Sequence, residues 1–284
     1  MTRAQSLSVL LAALLTVPLV HGQVKESAIE KHVANLRSVP TDQRPDTIIK
    51  IAQEITMLPA GLPKVQEADS LAHLATEADP SQEAVAVAAQ VLATSLRQNP
   101  LTADGDQVPE PYMELAKITR YEGVSVTFTF DSPLYIKANQ ILAANEADIQ
   151  KPDFTLEDLH NKKVTLSDLR GNIVLVNFWA TSCPLCRNEM STLAAIYSRF
   201  GEDGIVVLSI TDENASKVDL LVSPWGYRPP VLIDSDDAVH KMFHVESVPC
   251  TFVFDSNGKL VAEAMDERTQ RQFMAMIAKA VPRK

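Results

Sequence analysis

The stretch that most constrains the fold runs from Ile173 to Phe200. An apolar, β-branched run, Ile173 to Val176, enters Asn177-Phe178-Trp179-Ala180-Thr181-Ser182-Cys183-Pro184-Leu185-Cys186-Arg187-Asn188-Glu189-Met190, and an amphipathic pattern (Met190, Leu193, Ala194, Tyr197, Phe200) leaves it. A strand therefore hands over to a helix at Cys183 and Cys186. A helix N-terminus presents unpaired N–H groups and about half a positive charge, which favours a thiolate over a thiol. Lowering a cysteine pKa from ~8.5 to ~7 takes about 2 kcal/mol of preference for the charged form, within reach of such a terminus. The spacing is close to one helical turn and places both sulfurs on one face within bonding reach, with Glu189 on the same face.

Cysteine usage narrows the role of this pair. The chain has 284 residues and only three cysteines, all after residue 180, so it is not a disulfide-stapled scaffold. Closing the short Cys183 to Cys186 loop removes roughly 2 kcal/mol of unfolded-chain entropy, the low end for a crosslink. Such a bridge is better suited to being made and broken than to holding a fold. A structural or metal-binding pair is the alternative reading. With 46% apolar and 22% charged residues the chain is globular and long enough for two domains. Its net charge of −10, without a Lys/Arg cluster, argues against a nucleic-acid or anionic-membrane surface.

Arg3, the apolar stretch Leu7 to Val20 and the small-residue site Val20-His21-Gly22 predict a signal peptide over residues 1–22, and so an exported, periplasmic or otherwise extracytoplasmic protein. An uncleaved membrane tether is the competing reading, but the run is shorter than the ~20 residues of a spanning helix and holds Pro18. No cysteine follows it to take a lipid.

From residue 23 to 147 the pattern predicts a mainly α-helical domain of unknown function, with its boundary between 120 and 150. Four stripes at helical spacing carry this: Ile29, Val33 and Leu36; Ile48, Ile51, Ile55 and Leu58; Val65, Ala68, Leu71, Ala72 and Ala75; and Val85, Ala88, Leu92 and Leu96. A short helix is expected around Tyr112 to Ile118 and another from Leu134 to Ala144. Between them Val124, Val126, Phe128 and Phe130 alternate with polar residues, which predicts a half-buried strand. From residue 148 to 284 strands alternate with helices, the signature of an α/β sheet. Ile173 to Phe178 and Ile205 to Ile210 read as central strands, and Thr251 to Phe254 pairs with Leu260 to Ala262 across Asp255-Ser256-Asn257-Gly258. Gly201 and Gly204 are expected to close the helix that follows the cysteines.

Residues from about 150 to 282 resemble the thioredoxin fold, a central mixed sheet with flanking helices, and within it the extracytoplasmic TlpA/ResA-like thiol-disulfide oxidoreductases. The likeness rests on Asp153-Phe154, Leu166 to Gly171, Asn177 to Thr181, Cys183 to Glu189, and Val248-Pro249 before Thr251 to Phe254. It implies dithiol-disulfide exchange with protein thiols and disulfides, without metal or organic cofactor. Cys183 would attack as a thiolate and Cys186 would resolve the mixed disulfide. Pro249 would be the cis-proline, setting the Val248 backbone beside a substrate segment. Trp179, Ser182, Pro184 and Leu185 would complete the substrate-facing surface. Thioredoxins carry a buried Asp where this chain has Asn177, and an amide cannot shuttle protons. In ResA-like members a Glu at the position of Glu189 is thought to do so, and a carboxylate buried beside a thiolate has its pKa raised towards neutrality. A helix-start Glu favoured by the dipole is the plainer reading.

Three departures from the family pattern stand out, and the residues between the cysteines bear on redox direction. Ser182 stands where most members have Trp, Pro184-Leu185 inverts the usual order within the motif, and Cys250 replaces the Thr or Ser expected after the cis-proline. A reductase is the favoured reading, an oxidase or isomerase the alternative, and a redox-regulated partner-binding protein without turnover a third. Cys250 is read as a small buried residue. His240 and His244 could share a helix face, but without a legible third ligand they read as packing or surface residues, and metal delivery through the cysteines stays distant. Arg187 after Cys186 excludes covalent haem attachment. Ala180 and Asn177 stand where a peroxiredoxin would want Thr and Pro, which argues against peroxidase chemistry.

Overall fold

The computed structural model describes residues 28–77, 81–127 and 130–281; the expected signal peptide lies outside them. The helical half comprises α1 (residues 28–34), α2 (Arg44–Thr56), α3 (Leu62–Ala75), α4 (Gln82–Gln98), α5 (Glu110–Tyr121) and α6 (Pro133–Asp148). The four stripes read from the sequence are its core: Ile29, Ile48, Ile55, Val65, Leu71, Val85, Leu92 and Leu96 are all buried in one cluster. Helix α4 runs through the middle. Its alanines, Ala84, Ala88, Ala89 and Ala93, are fully buried and let α2, α3 and α5 approach closely, and the Ser81 hydroxyl caps it by accepting the Ala84 N–H at 3.1 Å.

The segment expected to be a strand is not one: none of its described residues, 124–127 and 130, is in a strand, while Phe128 and Thr129 lie outside the described residues. The apolar side chains go where the alternation implied, with Val124 buried and Val126 and Phe130 packed against the helical core. What differs is the backbone partner. The Gln90 carbonyl of α4 accepts both the Thr127 N–H at 2.7 Å and its hydroxyl at 2.8 Å, so a helix side chain stands in for a neighbouring strand. Replacing Gln90 with Ala is expected to cost about 1 kcal/mol and to speed hydrogen exchange at the Thr127 amide, with little change elsewhere.

The second half is the mixed sheet with flanking helices that was expected. Its strands are β1 (Thr155–Asp158), β2 (Lys163–Thr165), β3 (Ile173–Phe178), β4 (Ile205–Thr211), β5 (Val231–Ile233), β6 (Cys250–Phe254) and β7 (Leu260–Ala264), in the order β2-β1-β5-β4-β3-β6-β7. Strands β3, β4 and β5 run parallel, while β6 pairs antiparallel with β3 and β7 with β6. Helices α7 (Pro184–Phe200) and α10 (Gln270–Ala280) cover one face; α8 (Ala215–Val222) and α9 (Ala238–Met242), absent from the sequence reading, precede and follow β5. Gly204 supplies the left-handed turn after α7 at φ +84°, whereas Gly201 keeps helical geometry as its C-cap.

Strand period decides what faces what. Val174, Val176 and Phe178 point to one core with Phe243, Phe252 and Phe254. Leu175 points to the other, with Leu193 and Ile196 of α7 and Phe273 and Ile277 of α10. Asn177, two residues beyond Leu175, is therefore aimed at α7.

Candidate active site

Cys183 and Cys186 form a disulfide, Cα to Cα 5.3 Å, at the start of α7. Cys183 is the N-cap residue, in extended conformation, and its Sγ accepts the Cys186 backbone N–H at 3.0 Å. Pro184 fills the first helical turn, where an N–H would have no partner in any case. Electrostatics and access therefore separate the sulfurs. Cys183 is half-buried and held by a helix-terminal N–H, while Cys186 is only 1% exposed. The loop entering the site is fixed from below: Glu213 accepts the Thr181 N–H at 2.5 Å and hydroxyl at 2.8 Å and is paired with Lys217. Burial pushes the Glu213 carboxyl up, but the Lys217 ammonium and the two Thr181 donors outweigh it and hold the group below its ordinary value.

Glu189 lies one turn beyond Cys186, about 4.5 Å along the helix axis, and is 1% exposed. Asn177 donates from its amide nitrogen to Glu189 Oε2 at 2.8 Å and to the Thr251 hydroxyl at 2.9 Å, a triangle made possible by the β3–β6 register that sets Asn177 opposite Thr251. The Arg268 backbone N–H donates to Glu189 Oε1 at 2.9 Å. Burial pushes the Glu189 carboxyl up to about 8, although the Arg268 N–H and charge and the Asn177 amide all favour the ionised form. A carboxyl that changes charge near neutral pH, one turn from a buried sulfur, is suited to moving a proton there.

The Val248-Pro249 peptide bond is cis, and the Val248 carbonyl oxygen is 3.7 Å from Cys183 Sγ. Around the disulfide, Ser182 and Pro184 are exposed and Leu185 and Val248 half-buried. Trp179, expected to face substrate, is instead 1% exposed and packs with Cys186, Met190, Val218 and Val222 beneath the site. An indole at the end of a strand buried on both faces has no route to the surface. Cys250, opposite Phe178 in the register, is buried with its Sγ 3.4 Å from Met265 Sδ, and burial pushes its thiol well above the ordinary value.

The two histidines do not share a helix face. Helix α9 ends at Met242, His244 takes φ 52° and contacts Asp148, and His240 Nδ1 is 2.6 Å from Asp234. Asp234, Asp237 and His240 bring one ligand atom each within 4.8 Å, but Asp234 already accepts the Val239 and His240 N–H groups that open α9. Sequence reasoning missed Arg268 and Glu213, and placed Thr251 in a strand without giving it a role in the site. Arg268 and Thr251 meet Glu189 and Asn177 only through tertiary contacts.

Residues 149–263 match a family model described as the AhpC/TSA family. The chain is 30% identical over 159 residues to the thiol-disulfide oxidoreductase ResA of Bacillus thuringiensis strain Al Hakam, covering 56% of this chain and 90% of that protein. It is 34% identical over 111 residues to ResA of Bacillus subtilis strain 168, covering 39% and 62%. Among solved structures, a putative thioredoxin from Neisseria meningitidis shares 28% identity over 46% of this chain and 89% of that one, with a TM-score of 0.43. A disulfide at a strand-to-helix junction on a mixed sheet, together with 30% identity across 90% of the Bacillus thuringiensis protein, makes the chain a member of the ResA family of thiol-disulfide oxidoreductases, enzymes of dithiol-disulfide exchange.

Proposed function

We propose that the protein works outside the cytoplasm, exchanging disulfides with protein partners through Cys183 and Cys186, and that it runs as a reductant. Residues 23–147 form a separate helical domain in this reading and residues 148–284 the catalytic one. In the reduced enzyme the Cys183 thiolate attacks a substrate disulfide, forming a mixed disulfide and releasing one substrate sulfur as a thiolate that takes up a proton. Cys186 then gives its proton to the Glu189 carboxylate and attacks Cys183 Sγ. The second substrate sulfur leaves and is protonated. Two electrons and two protons pass from the enzyme dithiol to the substrate, leaving the Cys183–Cys186 disulfide for an external thiol reductant to reopen. Asn177 orients Glu189 throughout, and the Val248-Pro249 backbone, with Ser182, Pro184 and Leu185, receives the substrate segment.

The observation that carries this reading is the pairing of an accessible N-cap sulfur with a buried carboxyl one turn behind its disulfide partner. The extracytoplasmic assignment is supported by the apolar run and small-residue site of residues 1–22. Among the described residues no helix is long and apolar enough to cross a membrane. The reduction potential of the Cys183/Cys186 couple tests direction. A value near the roughly −270 mV of thioredoxin, with catalysed insulin reduction, is expected, whereas a value near about −120 mV would make the protein an oxidant.

A further inference from the structure

Arg268 lies in the loop between β7 and α10 and is 4% exposed, far more buried than an arginine on a connecting loop ordinarily is. Its guanidinium leaves the sheet half altogether. Nη1 donates to the Thr76 carbonyl oxygen at 2.6 Å, at the C-cap of α3, and Nη2 pairs with Glu122, the C-cap residue of α5. Two helix C-termini, each carrying partial negative charge, thus converge on one cation. A second tie reinforces the first, since the Thr76 hydroxyl donates to Asp266 Oδ2 at 2.6 Å. The backbone N–H of the same Arg268 is the donor to Glu189 Oε1 at 2.9 Å. One residue therefore has its side chain clamped by the helical half and its main chain on the carboxyl behind the redox pair.

We propose that Arg268 is a positioning residue through which the helical half holds Glu189 in place, its guanidinium pinned by Thr76 and Glu122 so that its N–H stays on the carboxylate. The inference rests on the reading that Glu189 moves a proton for Cys186. The groups that act on Glu189 come from several elements: Asn177 on β3, itself held by Thr251 on β6, Cys250 on β6, Tyr227 ahead of β5, and Arg268 and Glu267 on the loop after β7, with Cys186 one turn earlier on α7. Of these, Arg268 alone brings a positive charge, and Glu267 opposes it. Loosening the clamp weakens a hydrogen bond that favours the ionised carboxyl, and deleting the guanidinium also removes a favourable charge, so in both cases the Glu189 titration moves upward.

The test follows the side-chain carboxyl of Glu189 by carbon NMR in the full-length oxidised protein, assigned by its loss in Glu189→Gln, alongside the pH profile of disulfide exchange. Arg268→Met is expected to raise the Glu189 titration by about one pH unit or more. Arg268→Lys, which keeps the charge and one donor, should return it to within about half a unit of wild type. Glu122→Gln, which weakens the pair with Nη2 while leaving the Arg268 charge in place, should move it in the same direction as Arg268→Met. An unmoved titration in folded Arg268→Met overturns the proposal; should that variant not fold, an unmoved titration in Glu122→Gln does so. A shifted titration with an exchange profile indifferent to both Arg268→Met and Glu189→Gln would leave the positioning intact and sink the proton-transfer reading instead.

Discussion

Replacing Cys183 with Ser lowers the exchange rate by roughly 10³-fold or more, to the uncatalysed background, because a serine hydroxyl is not ionised at the helix terminus that stabilises a thiolate. Cys186→Ser has a different signature. The first attack by Cys183 still proceeds, but no second thiol is available to resolve the product, and the enzyme accumulates covalently joined to its substrate. The asymmetry follows from position: Cys183 is the half-buried N-cap with its sulfur on a helix N–H, while Cys186 is sealed in the next turn. Non-reducing electrophoresis of each variant with a disulfide-bonded protein substrate reads this directly. A stable adduct with Cys183→Ser and none with Cys186→Ser would reverse the assignment of attacking and resolving sulfurs.

Glu189→Gln is expected to slow exchange about 10²-fold and to abolish the limb expected near pH 8 in the wild-type pH profile. Glutamine preserves the shape and one acceptor but cannot take a proton. The same group makes a stability prediction whose sign is fixed by burial. The folded carboxyl titrates at about 8 against an ordinary value of 4.5, so between those values the folded state holds a proton that the unfolded chain has released. Stability is then fully present below the ordinary carboxylate range and falls as pH rises through about 8, by up to about 5 kcal/mol in total. Comparing denaturant unfolding of wild type and Glu189→Gln from pH 5 to 9 isolates this contribution, because the other titrating groups are common to both. Parallel stability curves would place the carboxyl in a solvated setting and contradict its burial.

The parts of the fold that were legible in the sequence are those set by neighbours in the chain. The four apolar stripes of the helical half, the hairpin at Asp255 to Gly258 and the passage from Ile173 to Phe200 each declare themselves within a few turns or a few strand residues, because period and turn chemistry are local properties. The segment from Val124 shows where such reasoning stops. Its alternation correctly marked which residues would be buried, but whether its backbone met a strand or the Gln90 side chain depended on what the rest of the chain placed beside it. Trp179 is a similar case, since being next to the redox motif in sequence put it beneath the site and not on its surface.

For the site itself, the sequence by itself determined the two sulfurs, their spacing, their place at a helix start and the acid one turn beyond. Tertiary structure decided what that acid is. Glu189 is an ordinary helix-start residue until β3 aims Asn177 at it, β6 supplies Thr251 to hold the amide, and the loop after β7 lays the Arg268 N–H against its other oxygen. Those partners lie as many as 79 residues away. A carboxyl's pKa depends on the water and charge around it in space, and only the folded chain sets these.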